Sequence, residues 1–101
     1  MSRLPTNRPP TPPGEVLLHD FLDPMGLSQS EVAKAIGISF QRLNAVVKNR
    51  RAVTPSTALR LAQYLGTTPD LWLNLQSQAD LYEALSEEGE DIEAIRPAVA
   101  A

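Results

Sequence analysis

Four hydroxyl residues between Ser28 and Pro69 are each placed to start a helix, and their spacing constrains the fold of this chain more than any other feature. Ser28-Gln29-Ser30-Glu31 reads as a capping box: the Ser28 hydroxyl can accept the N–H of the third helical residue, and Glu31 can reach back to the cap N–H. The helix that begins there turns Val32, Ala33 and Ile36 inward and stops at Gly37. Ile38 fills a short turn, and Ser39 can cap the next helix, whose Phe40, Leu43, Val46 and Val47 make an apolar stripe running to about Asn49. Thr54-Pro55 and Thr68-Pro69 repeat one device, a threonine at the cap and a proline at the first helical position, where a missing N–H costs nothing.

The remaining segments fit the same scheme. Met1 to Pro13 holds prolines at 5, 9, 10, 12 and 13 and few apolar side chains, so residues 1–13 are expected as a proline-rich arm. From Gly14, apolar residues Val16, Leu17, Phe21, Leu22 and Met25 recur at three- and four-residue steps, which predicts a first helix ending at Pro24 and Gly26. The fourth predicted helix packs Ala58, Leu59, Leu61, Ala62 and Leu65 and ends at Gly66. The fifth carries Leu71, Trp72, Leu75, Ala79, Tyr82 and Leu85 and fades into Ser86-Glu87-Glu88-Gly89. No stretch alternates with β-branched residues in the manner of a strand. The expectation is an all-α domain of five helices over residues 14–86, followed by an acidic tail over 87–101.

Composition narrows the function. With 101 residues the chain has room for one small core, and with 5% aromatic residues that core must be mainly aliphatic. The absence of cysteine excludes disulfides, thiolate metal sites and a cysteine nucleophile, and His19 is the only histidine. No catalytic residues, metal site or cofactor are expected. Asp20 and Asp23 read as a solvated helix face, and His19 as an exposed helical residue. No apolar run approaches the roughly 18 residues of a membrane span, and no secretory h-region is present, so the expected setting is cytoplasmic. Charge is divided along the chain. Between Ser28 and Gly66 six cationic residues face Glu31 alone, for a net +5, whereas Asp70 to Ala101 has eight acidic residues against Arg96, for a net −7. A basic middle of this kind suits an anionic polymer.

The run from Gln29 to Val47 has the internal logic of a helix-turn-helix. Ala33 is small where two helices cross, Gly37 occupies the sharp turn, and Val32, Ile36, Ile38, Leu43 and Val46 can tie the pair at a fixed angle. An ordinary helical hairpin shares some of these features. If the second helix of the pair reads DNA, Gln41, Arg42 and Asn44 lie off its apolar stripe and can each make two hydrogen bonds to a base edge, with Arg42 the foremost. Phe40 can touch a thymine methyl or anchor the core. Phosphate contacts are expected from Gln29 and Ser39 at helix starts, from Lys48, Asn49, Arg50 and Arg51 after the reading helix, and from Thr54 and Ser56. For each of these polar residues the plain alternative is a solvated surface or a helix cap.

Several segments together carry a family resemblance: Pro9-Pro10-Thr11-Pro12-Pro13-Gly14-Glu15, Phe21 through Gln29, Arg50-Arg51-Ala52-Val53-Thr54, Thr57 through Ala62, and Gly66-Thr67-Thr68-Pro69-Asp70-Leu71-Trp72-Leu73-Asn74-Leu75-Gln76. In these the chain resembles the HigA family of bacterial antitoxins, within the Xre-like helix-turn-helix group, over about Pro9 to Leu81. The resemblance implies a lambda-repressor-like domain and an antitoxin of a type II toxin-antitoxin module. Such a protein represses its own operon and neutralises a HigB-type toxin, a RelE-like ribonuclease acting on messenger RNA. It also opens a second reading of the acidic run Glu87 to Glu93, as a surface that attracts a basic ribonuclease.

A single-domain reader of palindromic operator DNA needs a two-fold partner, so a homodimer is expected. The fifth helix is the expected seam, through Trp72, Leu75, Ala79, Tyr82 and Leu85, with Trp72 also readable as a core anchor. The proline-rich arm and the first helix are the expected toxin-facing surface. Two rivals remain at this level: a free-standing Xre-like repressor without a toxin, and an interaction adaptor that no longer binds DNA.

Overall fold

The computed structural model describes residues 8–99, and among them every regular element is helical. Three helical stretches, Pro13–Val16, Leu17–Leu22 and Asp23–Met25, follow one another without a break and together form α1. Then come α2 (Gln29–Ile36), α3 (Phe40–Val47), α4 (Pro55–Leu65) and α5 (Pro69–Glu93). The first seven residues of the expected arm lie outside the described residues.

The start signals act as the sequence implies. The Ser28 hydroxyl accepts from the Glu31 N–H at 3.1 Å, and the Glu31 carboxylate accepts from the Ser28 N–H at 3.0 Å. Hydrogen bonding to the carboxylate, first from the Ser28 backbone N–H and then from the Ser28 side chain, holds the Glu31 carboxyl below its ordinary pKa. A lowered folded-state pKa gives stability that is present above the unfolded-state value and lost as pH falls through the folded one, so this box weakens on acidification. Ser39, Thr54 and Thr68 accept from the N–H groups of Arg42, Thr57 and Leu71 at 3.1, 3.4 and 3.3 Å. Hydroxyl caps of this type stabilise a helix by about 1 kcal/mol each.

Three elements differ from expectation. The middle of α1, Leu17–Leu22, is π-helical, and the widened turns run up to Pro24, which has no N–H to give to the Asp20 carbonyl. Pro13 belongs to α1 and is buried with Gly14, so the arm ends one residue earlier than expected. The largest difference is in α5, which continues through Ser86-Glu87-Glu88-Gly89 to Glu93. The Ser86 hydroxyl donates back to the Tyr82 carbonyl at 2.9 Å, an arrangement that lets serine sit inside a continuing helix. Gly89 costs up to about 1 kcal/mol relative to alanine, an amount that the surrounding Leu, Ala and Glu residues offset. Residues 87–93 are therefore the end of a helix, and the irregular tail begins only after Glu93.

The core joins Leu17 and Leu22 of α1, Val32, Ala33 and Ile36 of α2, Leu43, Val46 and Val47 of α3, Ala58, Leu61 and Ala62 of α4, and Trp72 of α5. Trp72 is fully enclosed: its ring packs against Phe21 with centroids 5.4 Å apart, and its indole N–H donates to the Thr67 hydroxyl at 2.8 Å. Its place in the dimer seam is accordingly corrected, because no part of it reaches the protomer surface. Phe40 is corrected as a member of the core stripe, since it is 45% exposed.

Two helices approach closely at Gly14. A Cβ there would overlap the Val46 carbonyl oxygen and lie 2.6 Å from that of Val47 and 2.9 Å from Asn49 Oδ1. The first turn of α1 thus rests directly on the backbone of the last turn of α3. Gly14→Ala is expected to lower unfolding stability by about 1–3 kcal/mol, the range for overpacking, even though alanine is the better helix former. Urea denaturation measures this, and unchanged stability would mean that the two turns can separate without cost.

Candidate nucleic-acid interface

Between α2 and α3 lie only Gly37, Ile38 and Ser39. Gly37 takes φ of 77°, and its N–H and that of Ile38 both reach the Ala33 carbonyl, at 2.9 and 3.0 Å. This closure satisfies the end of α2 and turns the chain sharply into α3. Arg60 of α4 completes it: Nη1 donates to the Ile36 carbonyl at 2.7 Å and Nε to the Ser56 hydroxyl at 3.3 Å. A cation at the negative end of the α2 dipole is favourable. Arg60 counts in the sequence as one more basic residue, and nothing local signals that it braces the turn.

The start of α2, the first half of α3 and the start of α4 meet around the expected base-reading residues. Gln41 is exposed, and Phe40 stands beside it at the first position of α3. Asn44 is half-buried and donates from Nδ2 to Gln29 Oε1 at 3.0 Å, which joins one expected base contact to one expected phosphate contact. Arg42, also half-buried, donates from Nη2 to the Thr57 hydroxyl at 3.0 Å. Thr57 is 1% exposed and takes a second bond, at 3.3 Å, from the Thr54 hydroxyl. The guanidinium is held at the foot of α4 while the planar donor fork still has further N–H groups. Nothing in the sequence singles out Thr57, because its partner is fifteen residues away and on another helix.

The expected phosphate residues divide into two groups. Ser39, Thr54 and Ser56 have their hydroxyls engaged within the protomer, as caps or with Arg60. Lys48, Asn49, Arg50 and Arg51 are exposed on the segment joining α3 to α4. Asn49 has φ of 60°, a left-handed conformation that asparagine tolerates better than most residues. Beyond it, the Arg50 and Arg51 N–H groups both turn back to the Ala45 carbonyl, at 2.8 and 3.2 Å. Val53 is buried, and its N–H donates to Gln76 Oε1 of α5 at 2.8 Å. Two adjacent guanidinium groups are therefore carried on a short segment tied at both ends.

Along α5, Leu75, Ala79, Tyr82 and Leu85 are half-buried and share one face, which runs on to Gly89 and Ile92. Leu71, Leu73 and Leu75 pack against the core, whereas the later apolar residues, including Leu81 at 54% exposure, extend past it. His19 Nδ1 lies 3.4 Å from Asp23 Oδ2 on the exposed side of α1. Among the described residues there is no cluster of groups suited to a metal ion, and no helix is long and apolar enough to cross a membrane.

The helix-turn-helix family HTH_3 matches residues 18–72. Virulence-associated protein I of Dichelobacter nodosus is 46% identical over 69 residues, which cover 68% of this chain and 64% of that protein, less than two thirds of its length. Antitoxin HigA-1 of Vibrio cholerae is 34% identical over 92 residues, covering 91% of this chain and 87% of that one. Among solved structures, the Pseudomonas aeruginosa antitoxin HigA with the higBA promoter superposes with a TM-score of 0.84 at 33% identity, over 91% of this chain and 100% of the other. A match over more than half of the chain, with these relatives beside it, places this protein in the Xre-like HTH_3 helix-turn-helix family, among the HigA-type antitoxins.

Proposed function

We propose that the chain is the antitoxin of a type II toxin-antitoxin module: a homodimeric, sequence-specific repressor of its own operon that also neutralises a HigB-type, RelE-like messenger-RNA-cleaving toxin. The observation that carries the DNA-binding half is the grouping of Arg42 and Asn44 of α3 with Gln29 of α2, beside the exposed Phe40 and Gln41, with the exposed Arg50-Arg51 pair on the segment that follows α3. A major-groove helix needs base-edge donors and acceptors along one side and cations beside it for the flanking phosphates. The solved structure of a HigA antitoxin with the higBA promoter supports the same reading. Homodimerisation follows from geometry: one α3 reads one half-site, and half-sites lie about 34 Å apart on a single face of the duplex. The apolar residues of α5 beyond the core, from Ala79 to Leu85, supply the seam.

Base and phosphate contacts separate experimentally. Arg42→Ala should lose about 1–3 kcal/mol on the chain's own promoter duplex and little on scrambled DNA, measured by fluorescence anisotropy. Thr57→Val serves as control, since it removes the internal partner of Arg42 and keeps the guanidinium. Joint Arg50→Ala and Arg51→Ala should instead weaken both duplexes and lower the salt slope by about one unit per lost contact. Equal losses of Arg42→Ala on the two duplexes, or an unchanged slope for the arginine pair, would overturn the respective assignment.

Leu85→Asp should yield monomers in sedimentation with helical content retained, because a charge in an apolar seam costs several kcal/mol. Dimers that persist would place the seam elsewhere. For the toxin half, the product of the adjacent gene should co-purify with this chain, and the complex should be inert in a translation assay where the free partner is inhibitory. Absence of any such partner leaves a free-standing repressor.

A further inference from the structure

Gln76 sits on α5, yet its side-chain oxygen accepts the N–H of Val53, the last residue before the Thr54 cap of α4. Val53 is 4% exposed and belongs to a segment without a helical ladder, so its N–H depends on this one acceptor, 2.8 Å away. A glutamine amide could equally present nitrogen, which would leave two donors facing each other. Asp80, one turn further along α5, prevents that: its Oδ1 accepts from Gln76 Nε2 at 2.9 Å, and a carboxylate only accepts. The other end of the segment is fixed separately, by the Arg50 and Arg51 N–H groups on the Ala45 carbonyl. Arg50, Arg51, Gln76 and Asp80 also line one cleft with Ala79 and Glu83, so α5 and the cationic segment face each other directly.

We propose that Gln76, held in one orientation by Asp80, is a positioning residue for DNA binding, fixing the Arg50-Arg51 segment at the distance from α3 that lets both cations meet phosphate while α3 occupies the groove. The inference rests on the DNA-binding reading of this interface. It adds that α5, proposed as the dimer helix, also sets the geometry of the phosphate-binding segment. Without the Gln76 bond the α4 end of the segment is held only by the burial of Val53 and the Thr54 cap, and more of its ordering falls to the binding step.

The test uses the full chain and its own promoter duplex. Gln76→Leu should weaken operator binding roughly 3- to 10-fold, the range for one hydrogen bond, and make the salt dependence shallower. Hydrogen exchange of the Val53 amide, followed by NMR in the free protein, should accelerate. Gln76→Glu keeps an acceptor for the Val53 N–H but sets a second carboxylate against Asp80 beside Arg50 and Arg51, and should lose part of the affinity. Gln76→Glu combined with Asp80→Asn restores a donor-acceptor pair at unchanged net charge, with the new amide donating to the new carboxylate, and should recover both affinity and Val53 protection. A structural role alone predicts lower melting temperatures with wild-type affinity and slope, and that outcome overturns the proposal. So does failure of the paired substitution to rescue when it is folded. If wild-type protein does not bind its promoter duplex, the DNA-binding reading falls and takes this inference with it. Wild-type binding unaffected by Gln76→Leu sinks the inference alone.

Discussion

The last turn of α3, the proposed reading helix, is placed by a contact between two backbones. The first turn of α1 lies against the Val46 and Val47 carbonyls, with Asn49 alongside, and residue 14 can be there only because it has no side chain. The contact settles where α3 ends relative to the core, and the segment carrying Lys48 through Arg51 starts from that point. A contact of this kind tolerates no adjustment by rotamer. Its precision is therefore inherited by the segment leading to α4, and the buried Val53 and its bond to Gln76 complete the fixation from the other side.

The other organising device is the economy of the turns. α2, α3, α4 and α5 each start on a hydroxyl cap, and α2 and α4 each end on a glycine in the left-handed region. Between α2 and α3 this leaves three residues, few enough to restrict the pair to a small set of crossing geometries. Arg60, reaching from α4 to the Ile36 carbonyl, extends the constraint to a third helix. The side chains proposed to face bases are thereby held by neighbouring helices: Asn44 bonds to Gln29, and Arg42 to Thr57. Such bonds reduce the rotamer freedom that these residues would otherwise lose on meeting DNA.

Most of this architecture is legible in the sequence because its signals are local. Ser28 with Glu31, Ser39, and the two Thr-Pro pairs announce helix starts within four residues, and Gly37 and Gly66 announce stops in the same way. Features that depend on residues far apart in sequence cannot be read in that way. Arg60 and Thr57 look like ordinary members of an amphipathic helix until α2 and α3 are folded against them. Trp72 reads as both core and seam, since periodicity marks a face as apolar without saying what covers it, and the answer here is Phe21 and Thr67. The end of α5 departs from its sequence signals for an energetic reason: one glycine and a row of carboxylates weaken a helix by amounts that an already nucleated helix can absorb. Gln76 stands within the segment that carries the family resemblance, but its partner is a main-chain N–H, which leaves no mark in the side-chain pattern.

The length of α5 also divides the protomer thermodynamically. A helix of 25 residues is about 37 Å long, whereas the protomer measures 52 × 22 × 21 Å, so the second half of α5 extends past the core that holds the first. Beyond the core its backbone leans chiefly on its own helix ladder, so this is the part of α5 expected to open first, without disturbing Trp72 or the turn between α2 and α3. A protease meeting the free protomer would find a foothold there. Covering the same surface with a second subunit would withdraw that foothold, so the lifetime of the chain in a cell would depend on how much of it is assembled.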